Sequence, residues 1–121
     1  MGTVYAIVNQ KGGVGKTTTA VNVASCIAEA GYPTLLVDVD PQANASVGLG
    51  IARTQTPGLY EVLTGEAPAA QALCDTPVPG LTVLPAGPSL AGANIELPRM
   101  EHYEQHLRGC LEPVRDSYRY I

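Results

Sequence analysis

The alternation of apolar and polar stretches along the chain predicts strands that alternate with helices. Short apolar runs rich in β-branched residues, typical of buried parallel strands, lie at residues 3–8, 34–39 and 81–84. Between the first two runs, small apolar side chains recur at helical spacing over residues 17–30, and Gly31 is a plausible helix stop. Two strands joined by a helix form a βαβ unit, whose crossover is almost always right-handed. The pattern therefore predicts an α/β fold with a mainly parallel sheet.

The other segments give weaker signals. Short helices are predicted at residues 57–63 and 67–74, and a longer polar helix at residues 100–114. Residues 43–56 are rich in small and polar side chains and are expected to form a mobile connection. Residues 117–121 have the pattern of the opening of a fourth strand.

The stretch between the first predicted strand and helix, residues 9–18, reads N-Q-K-G-G-V-G-K-T-T. Its glycines let the backbone curl and turn successive N–H groups inward, where they can hold anionic oxygens. The start of the following helix adds unpaired N–H donors and the positive end of the helix dipole. Lys16 can reach the β- and γ-phosphates of a nucleotide, and the Thr17 hydroxyl can ligate Mg²⁺. The stretch therefore predicts a site for a nucleoside triphosphate.

A pair of carboxylates, Asp38 and Asp40, follows the second predicted strand in the run V-D-V-D-P-Q. In open α/β sheets, ligands bind beyond the carboxyl ends of the strands, which is also the edge that carries the glycine-rich loop. Residues alternate along a strand, so both carboxylates are expected to point the same way and to suit a Mg²⁺–nucleotide site. An aspartate before Pro41 could instead simply start a turn. Which carboxylate would do which task stays open.

The loop departs from the general pattern G-x-x-x-x-G-K-[ST], because Gln10 stands where that pattern has glycine and Lys11 stands at the loop entrance. The version here, K-G-G-V-G-K-T, resembles the deviant Walker A loop of the ParA/MinD family of ATPases. The run D-x-D-P-Q at residues 38–42 is similar to the ParA/Soj partitioning branch of that family. The resemblance covers all 121 residues.

The resemblance implies a P-loop NTPase fold with three α/β/α layers. Residues 1–121 would be the N-terminal part of a single P-loop ATPase domain, without the Walker B carboxylate and the C-terminal half. In the family the fourth strand lies between the first two, so its loss after residue 121 would leave a gap in the centre of the sheet.

The same resemblance implies ATP and Mg²⁺ as cofactors and assigns residue roles. Lys11 would reach across a dimer interface to the nucleotide of the partner subunit, Asp40 would orient the attacking water, and Asp38 would sit near Mg²⁺ through water. The implied catalytic residues are Lys11, Lys16 and Asp40, and the implied metal residues are Thr17 and Asp38. The implied nucleotide-binding residues are Lys11, Gly12, Gly13, Val14, Gly15, Lys16, Thr17 and Thr18.

At the level of function, the resemblance implies an ATPase that drives chromosome or plasmid partitioning. Such proteins form a homodimer on ATP binding, bind DNA nonspecifically, and respond to a ParB-type partner that stimulates hydrolysis. The expected location is the cytoplasm, with nucleoid association in the ATP-bound state and no membrane attachment.

Composition agrees with a globular cytoplasmic protein. Apolar residues make up 45% and charged residues 15% of the chain. The formal net charge of −4 makes this part of the protein a poor DNA binder by itself. Cys26, Cys74 and Cys110 are odd in number and far apart, which favours reduced thiols. No stretch approaches the roughly 20 apolar residues of a membrane span.

Other classes of protein fit less well. A MinD-type division-site ATPase is disfavoured by the run Asp40-Pro41-Gln42, and iron-protein reductases need cluster cysteines that Cys110 alone does not supply. A non-hydrolysing module that binds a nucleotide or a partner stays open for this chain, because the Walker B carboxylate is missing. His102 and His106 have a metal-chelating spacing, but no glutamate stands where a zincin needs it, so a solvated helix face is favoured.

Overall fold

The computed structural model describes residues 3–5, 16–40, 42–52, 54–90 and 103–121. Most of the predicted first strand, the glycine-rich loop before position 16 and the start of the last predicted helix lie outside these residues. The helices are α1 (Lys16–Glu29), α2 (Asn44–Gly48), α3 (Leu59–Leu63), α4 (Ala69–Ala72) and α5 (Tyr103–Arg115). The strands are β1 (Thr34–Val37), β2 (Cys74–Asp75) and β3 (Leu81–Leu84).

The longer elements lie where the sequence predicts them, and the short ones differ. The connection at residues 43–56 was expected to be mobile, but it contains α2, whose Ala45 and Ser46 are buried. The helix predicted at residues 67–74 is shorter, because the chain becomes extended at Leu73 and Cys74 then opens β2. Burial of α2 against the rest of the fold accompanies the first difference, and pairing of β2 with β3 explains the second.

The described sheet has the order β1-β3-β2. β1 and β3 are parallel, with Thr34 opposite Leu81 and Val37 opposite Leu84. β2 pairs antiparallel with β3 at the other side. The sheet is therefore mainly parallel with one short antiparallel edge strand, which the sequence pattern did not predict.

The C-terminal residues lie between the chain start and β1. Tyr120 forms parallel bridges with both Thr3 and Thr34. The N–H of Thr3 donates to the carbonyl of Arg119 at 3.0 Å, and the N–H of Leu35 donates to the carbonyl of Tyr120 at 3.0 Å. This is the position that the family resemblance implies for the fourth strand.

A cavity of about 570 Å³ lies beside this tail, under α1. It is lined largely by apolar side chains of α1 and β1 and by aromatic rings near the chain ends. The lining includes Tyr5, Val23, Ile27, Tyr32, Leu36 and Ile121.

Two apolar clusters cover the two faces of the sheet. Leu81 and Val83 of β3 pack with Ala24 and Ala28 of α1. Leu84 packs on the other side with a cluster formed by α3, α4 and α5. Because side chains alternate along a strand, these contacts place helices on both faces of the sheet. The arrangement is the three-layer α/β/α architecture that the family resemblance implies.

Candidate functional site

The loops that follow β1 and β3 lie at the same edge of the sheet, because the two strands are parallel and end opposite each other at Val37 and Leu84. α1 begins at this edge as well. Its last turn lies at the opposite edge, where a Cβ built on Gly80 would be 3.4 Å from the carbonyl oxygen of Ala28. The residues at 38–46, the residues at 85–87 and the start of α1 therefore share the edge at which α/β proteins bind ligands.

Asp38 is a buried carboxylate, only 4% exposed, that organises the loop after β1. Its Oδ1 accepts a hydrogen bond from the N–H of Asp40 at 3.0 Å. Its Oδ2 accepts one from the N–H of Ser46 at 2.9 Å and one from the Ser46 hydroxyl at 2.6 Å. A buried carboxylate needs donors of this kind, because an unpaired charge inside a protein is costly.

Asp40 is more exposed than Asp38, and its carboxylate forms local hydrogen bonds with described residues. Its Oδ1 accepts the N–H of Gln42 at 3.0 Å, and its Oδ2 accepts the side-chain amide of Asn44 at 3.2 Å. The N–H of Ala43 donates to the Asp40 carbonyl at 2.9 Å, and Ala43 adopts a left-handed backbone with φ 59°. The turn holds the Asp40 carboxylate at the rim of the sheet edge, where solvent reaches it.

The predicted loop residues are divided between described and undescribed parts of the chain. Lys11, Gly12, Gly13, Val14 and Gly15 lie outside the described residues. Lys16 and Thr17 are the first two residues of α1, and Thr18 follows them with an exposed side chain. The described structure therefore brings the helix start and the two aspartates to one edge of the sheet.

Ser46 was missed by the sequence reasoning. Its side chain is 1% exposed, donates to Asp38, and accepts the N–H of Ala86 at 3.4 Å. A serine eight residues after an aspartate has no characteristic spacing, so no sequence signal could have identified the contact. Only the fold brings these three residues together.

The His106 side chain is exposed, as expected for a solvated helix face. Its Nε2 also bonds to the carbonyl of Leu63 at the end of α3. His102 lies outside the described residues. Over the part of the chain that the structure covers, no group of three or more His, Cys, Asp or Glu residues is placed to hold a metal ion.

Cys26, Cys74 and Cys110 are free thiols. Among the described helices, none combines the length and the apolar character that a membrane crossing requires.

The chain was compared with known protein families and curated proteins. The family model described as an AAA domain matches residues 2–121. The chain is 50% identical over 121 residues to the chromosome partitioning protein ParA of Caulobacter vibrioides, covering 98% of this chain and 45% of that protein. It is 47% identical over 122 residues to the sporulation initiation inhibitor protein Soj of Bacillus subtilis, covering 100% of this chain and 48% of that protein.

Solved structures of related proteins share the fold of this chain. Cobyrinic acid a,c-diamide synthase from Mycobacterium smegmatis, solved with an ATP analogue and magnesium, is 36% identical with a TM-score of 0.91, covering 99% of this chain and 49% of that one. A putative plasmid partition protein from Borrelia burgdorferi, solved with AMPPNP, is 26% identical with a TM-score of 0.83, covering 100% of this chain and 51% of that one.

The chain spans about half the length of the relatives it matches. The similarity to ParA and Soj nevertheless extends over essentially all of its own residues, and its P-loop-type α/β fold agrees with that of the plasmid partition protein. The chain therefore belongs to the AAA domain family, and within that family it is similar to the ParA/Soj chromosome-partitioning ATPases.

Proposed function

We propose that the chain is the nucleotide-binding part of a ParA/Soj-type partitioning ATPase, with residues 1–121 forming part of a single P-loop domain. The observation that carries the proposal is the shared sheet edge, where α1 starts beside the Asp38–Asp40 loop. A helix start supplies N–H donors for phosphate, and carboxylates supply the oxygen ligands that Mg²⁺ prefers. The ATP analogue and magnesium in a structurally similar protein support ATP and Mg²⁺ as the cofactors.

Lys16 and the backbone of residues 12–18 bind the phosphates in this proposal, and Thr17 ligates Mg²⁺. Asp38 acts on the metal only through water. The surroundings of the Asp38 carboxylate support a contact through water. Both of its oxygens already accept hydrogen bonds from the chain, and Asp38 is only 4% exposed.

Asp40 orients the attacking water, since its carboxylate lies at the rim of the site. Lys11 stabilises charge on the nucleotide of the partner subunit. Phosphoryl transfer depends mainly on positioning and on neutralising charge, and these groups supply both. Bound Mg²⁺ would neutralise phosphate charge and orient the phosphoryl oxygens.

The assembly proposed for the whole protein is a homodimer that forms on ATP binding, binds DNA nonspecifically and responds to a ParB-type partner. Names of relatives concerned with chromosome and plasmid partitioning support a partitioning role, within which this assembly is proposed. The net charge of −4 supports a DNA-binding face outside these residues. The protein would act in the cytoplasm and associate with the nucleoid in the ATP-bound state.

A non-hydrolysing module that binds a nucleotide or a partner is the second candidate for this chain. The observation that favours it is that residues 1–121 contain no D-x-P-P run, the Walker B motif expected from the ParA resemblance.

The test is a calorimetric titration of the 121-residue chain with Mg-ATP. We expect saturable binding by the wild type and none by Lys16→Ala, because the substitution removes the cation that contacts the β- and γ-phosphates. Arg108→Ala is the matched control, since it removes a cation from exposed α5 and is expected to bind normally. Binding that survives Lys16→Ala, or no binding by the wild type, would contradict the proposal for this chain.

Phosphate release in the same samples separates the two candidates. Saturable binding with slow release of phosphate supports the ATPase. Saturable binding without release assigns the chain as the non-hydrolysing module.

A further inference from the structure

We propose that Ser46 is a positioning residue for the Asp38–Asp40 loop, and that its hydroxyl locks this loop to the one that follows β3. The inference deepens the proposed function and rests on it for its effect on hydrolysis. The geometric part, that the hydroxyl fixes the backbone at Asp40, stands on contacts within the fold.

The Ser46 hydroxyl links the two loops because it is a hydrogen-bond donor and a hydrogen-bond acceptor at the same time. Ser46 Oγ donates to Asp38 Oδ2 at 2.6 Å and accepts the N–H of Ala86 at 3.4 Å. Ser46 is 1% exposed, Asp38 is 4% exposed and Ala86 is fully buried. Water therefore does not substitute for the hydroxyl without rearrangement. Its removal takes one of the donors from a buried carboxylate oxygen and this acceptor from a buried N–H.

The carboxylate of Asp38 connects Ser46 to the backbone of Asp40. One oxygen is held by Ser46, and the other accepts the N–H of Asp40 at 3.0 Å. A carboxylate is planar and rigid, so a rotation that follows loss of the Ser46 contact also moves the oxygen that holds the Asp40 backbone. Ser46 thereby sets the position of a residue with which its own side chain has no direct hydrogen bond.

The loop after β3 is in turn held in place by its contacts with the start of α3. The N–H of Leu59 donates to the carbonyl of Pro85 at 2.8 Å. A Cβ built on Gly58 would lie 2.8 Å from the Cα of Gly87, so the two backbones are in close contact. Residues 85–87 therefore have a fixed position next to Ser46. Through their contact with Ser46 they couple the loop after β3 to the loop after β1.

The first experiment measures amide hydrogen exchange without nucleotide in the wild type, Ser46→Ala, Ser46→Thr and Thr34→Val. The last is a matched control, because Thr34 is 3% exposed and its hydroxyl bonds to the Tyr32 carbonyl at the opposite end of β1. Exchange is expressed relative to the Leu35 amide, which removes changes in global stability.

We expect the Asp40 and Ala86 amides to exchange about 10- to 100-fold faster in Ser46→Ala, as for a lost hydrogen bond to a charged group. Thr34→Val should leave both ratios unchanged, and Ser46→Thr, which keeps the hydroxyl, should restore them. The proposal would be overturned if the exchange ratios of the Asp40 and Ala86 amides in Ser46→Ala equalled those in Thr34→Val. This result does not depend on ATP binding.

The second experiment measures Mg-ATP hydrolysis by the same variants. Ser46→Ala is expected to lower kcat by about 10-fold or more while KM for ATP stays within about threefold, because water positioning is lost and phosphate binding is kept. Ser46→Thr should recover kcat. An equal loss in Ser46→Ala and Thr34→Val would assign the effect to stability. A wild type that neither binds nor hydrolyses ATP would defeat the proposed function, whereas the exchange ratios still decide the role of Ser46.

Discussion

At the scale of single residues, burial separates side chains of the same type. Asp38 is inside the protein and its oxygens accept three hydrogen bonds from the chain, so it shapes the loop. Asp40 lies two residues later with partial exposure, and among the described residues its carboxylate bonds to the turn that carries it. The position of each carboxylate relative to the surface, more than its chemistry, determines which one can meet a ligand.

The cysteines also differ in burial, and burial affects the pKa of two of the thiols. Burial raises the pKa of the Cys110 thiol, and it raises that of Cys74 with a smaller contribution from the neighbouring Asp75 carboxylate. A raised pKa means less thiolate, the reactive form, at neutral pH.

We therefore predict that iodoacetamide at pH 8 modifies exposed Cys26 first, and Cys74 and Cys110 about tenfold more slowly. The slow rates should increase as the pH rises toward the raised pKa values. In the same alkaline range the free energy of unfolding should fall, because the unfolded thiols ionise before the native ones. Site-resolved mass spectrometry follows the modification, and equal rates at all sites would refute the prediction.

At the scale of elements, the start of α3 is packed against the loop after β3. The Glu61 carboxylate accepts the N–H of Gly58 at 2.7 Å and closes the first turn of the helix. Gly58 has an extended backbone, with φ −125°, so the position does not require glycine for its conformation. What requires glycine is space, because the backbone of residues 86–87 leaves no room for a side chain.

We predict that Gly58→Ala lowers the free energy of unfolding by about 1–3 kcal/mol, as for an overpacked site. Gly109→Ala in α5 is the control, since a Cβ there meets no atom within 4 Å. That substitution should instead stabilise the chain by about 0.5–1 kcal/mol through the higher helix propensity of alanine. Urea denaturation measures both, and a neutral Gly58→Ala would show that the two backbones can separate without cost.

At the scale of the whole molecule, the last residues hold the beginning of the chain. The N–H of Tyr5 donates to the Ile121 carbonyl at 2.8 Å, and the N–H of Ile121 donates to the Thr3 carbonyl at 2.8 Å. The ring of Tyr120 stacks on Tyr5 at a centroid distance of 6.1 Å and meets Tyr32 edge to face at 5.9 Å. Within the described residues, the strand pairing of 3–5 is with this tail.

Removal of residues 118–121 is therefore predicted to lower the free energy of unfolding by about 2–4 kcal/mol, from several lost backbone hydrogen bonds. The amides of Thr3 and Tyr5 should then exchange at nearly unprotected rates. Tyr120→Ala keeps the backbone bonds and loses only ring contacts, so it should destabilise by about 1–2 kcal/mol. Protected Thr3 and Tyr5 amides in the shortened chain would show that another part of the protein holds them.

The sequence by itself determined the α/β class, the longer elements and the family. Periodicity is a local property, so α1 and β3 could be located within one residue of their observed bounds. The aspartates could be assigned to the ligand-binding edge, because the carboxyl ends of parallel strands meet there. The identities of Lys11 and Lys16 and the run from Asp38 to Gln42 carried the resemblance to ParA and Soj.

Only the tertiary structure decided the contacts between distant segments. Ser46 and Ala86 are 40 residues apart, and the pairing of Tyr120 with Thr3 spans nearly the whole chain. The burial of Asp38, the short strand β2 and the contact of His106 with Leu63 also depend on neighbours that no local pattern specifies. The conformation of short elements and buried polar groups depends on their packing partners, whereas that of long periodic segments is determined by their own residues.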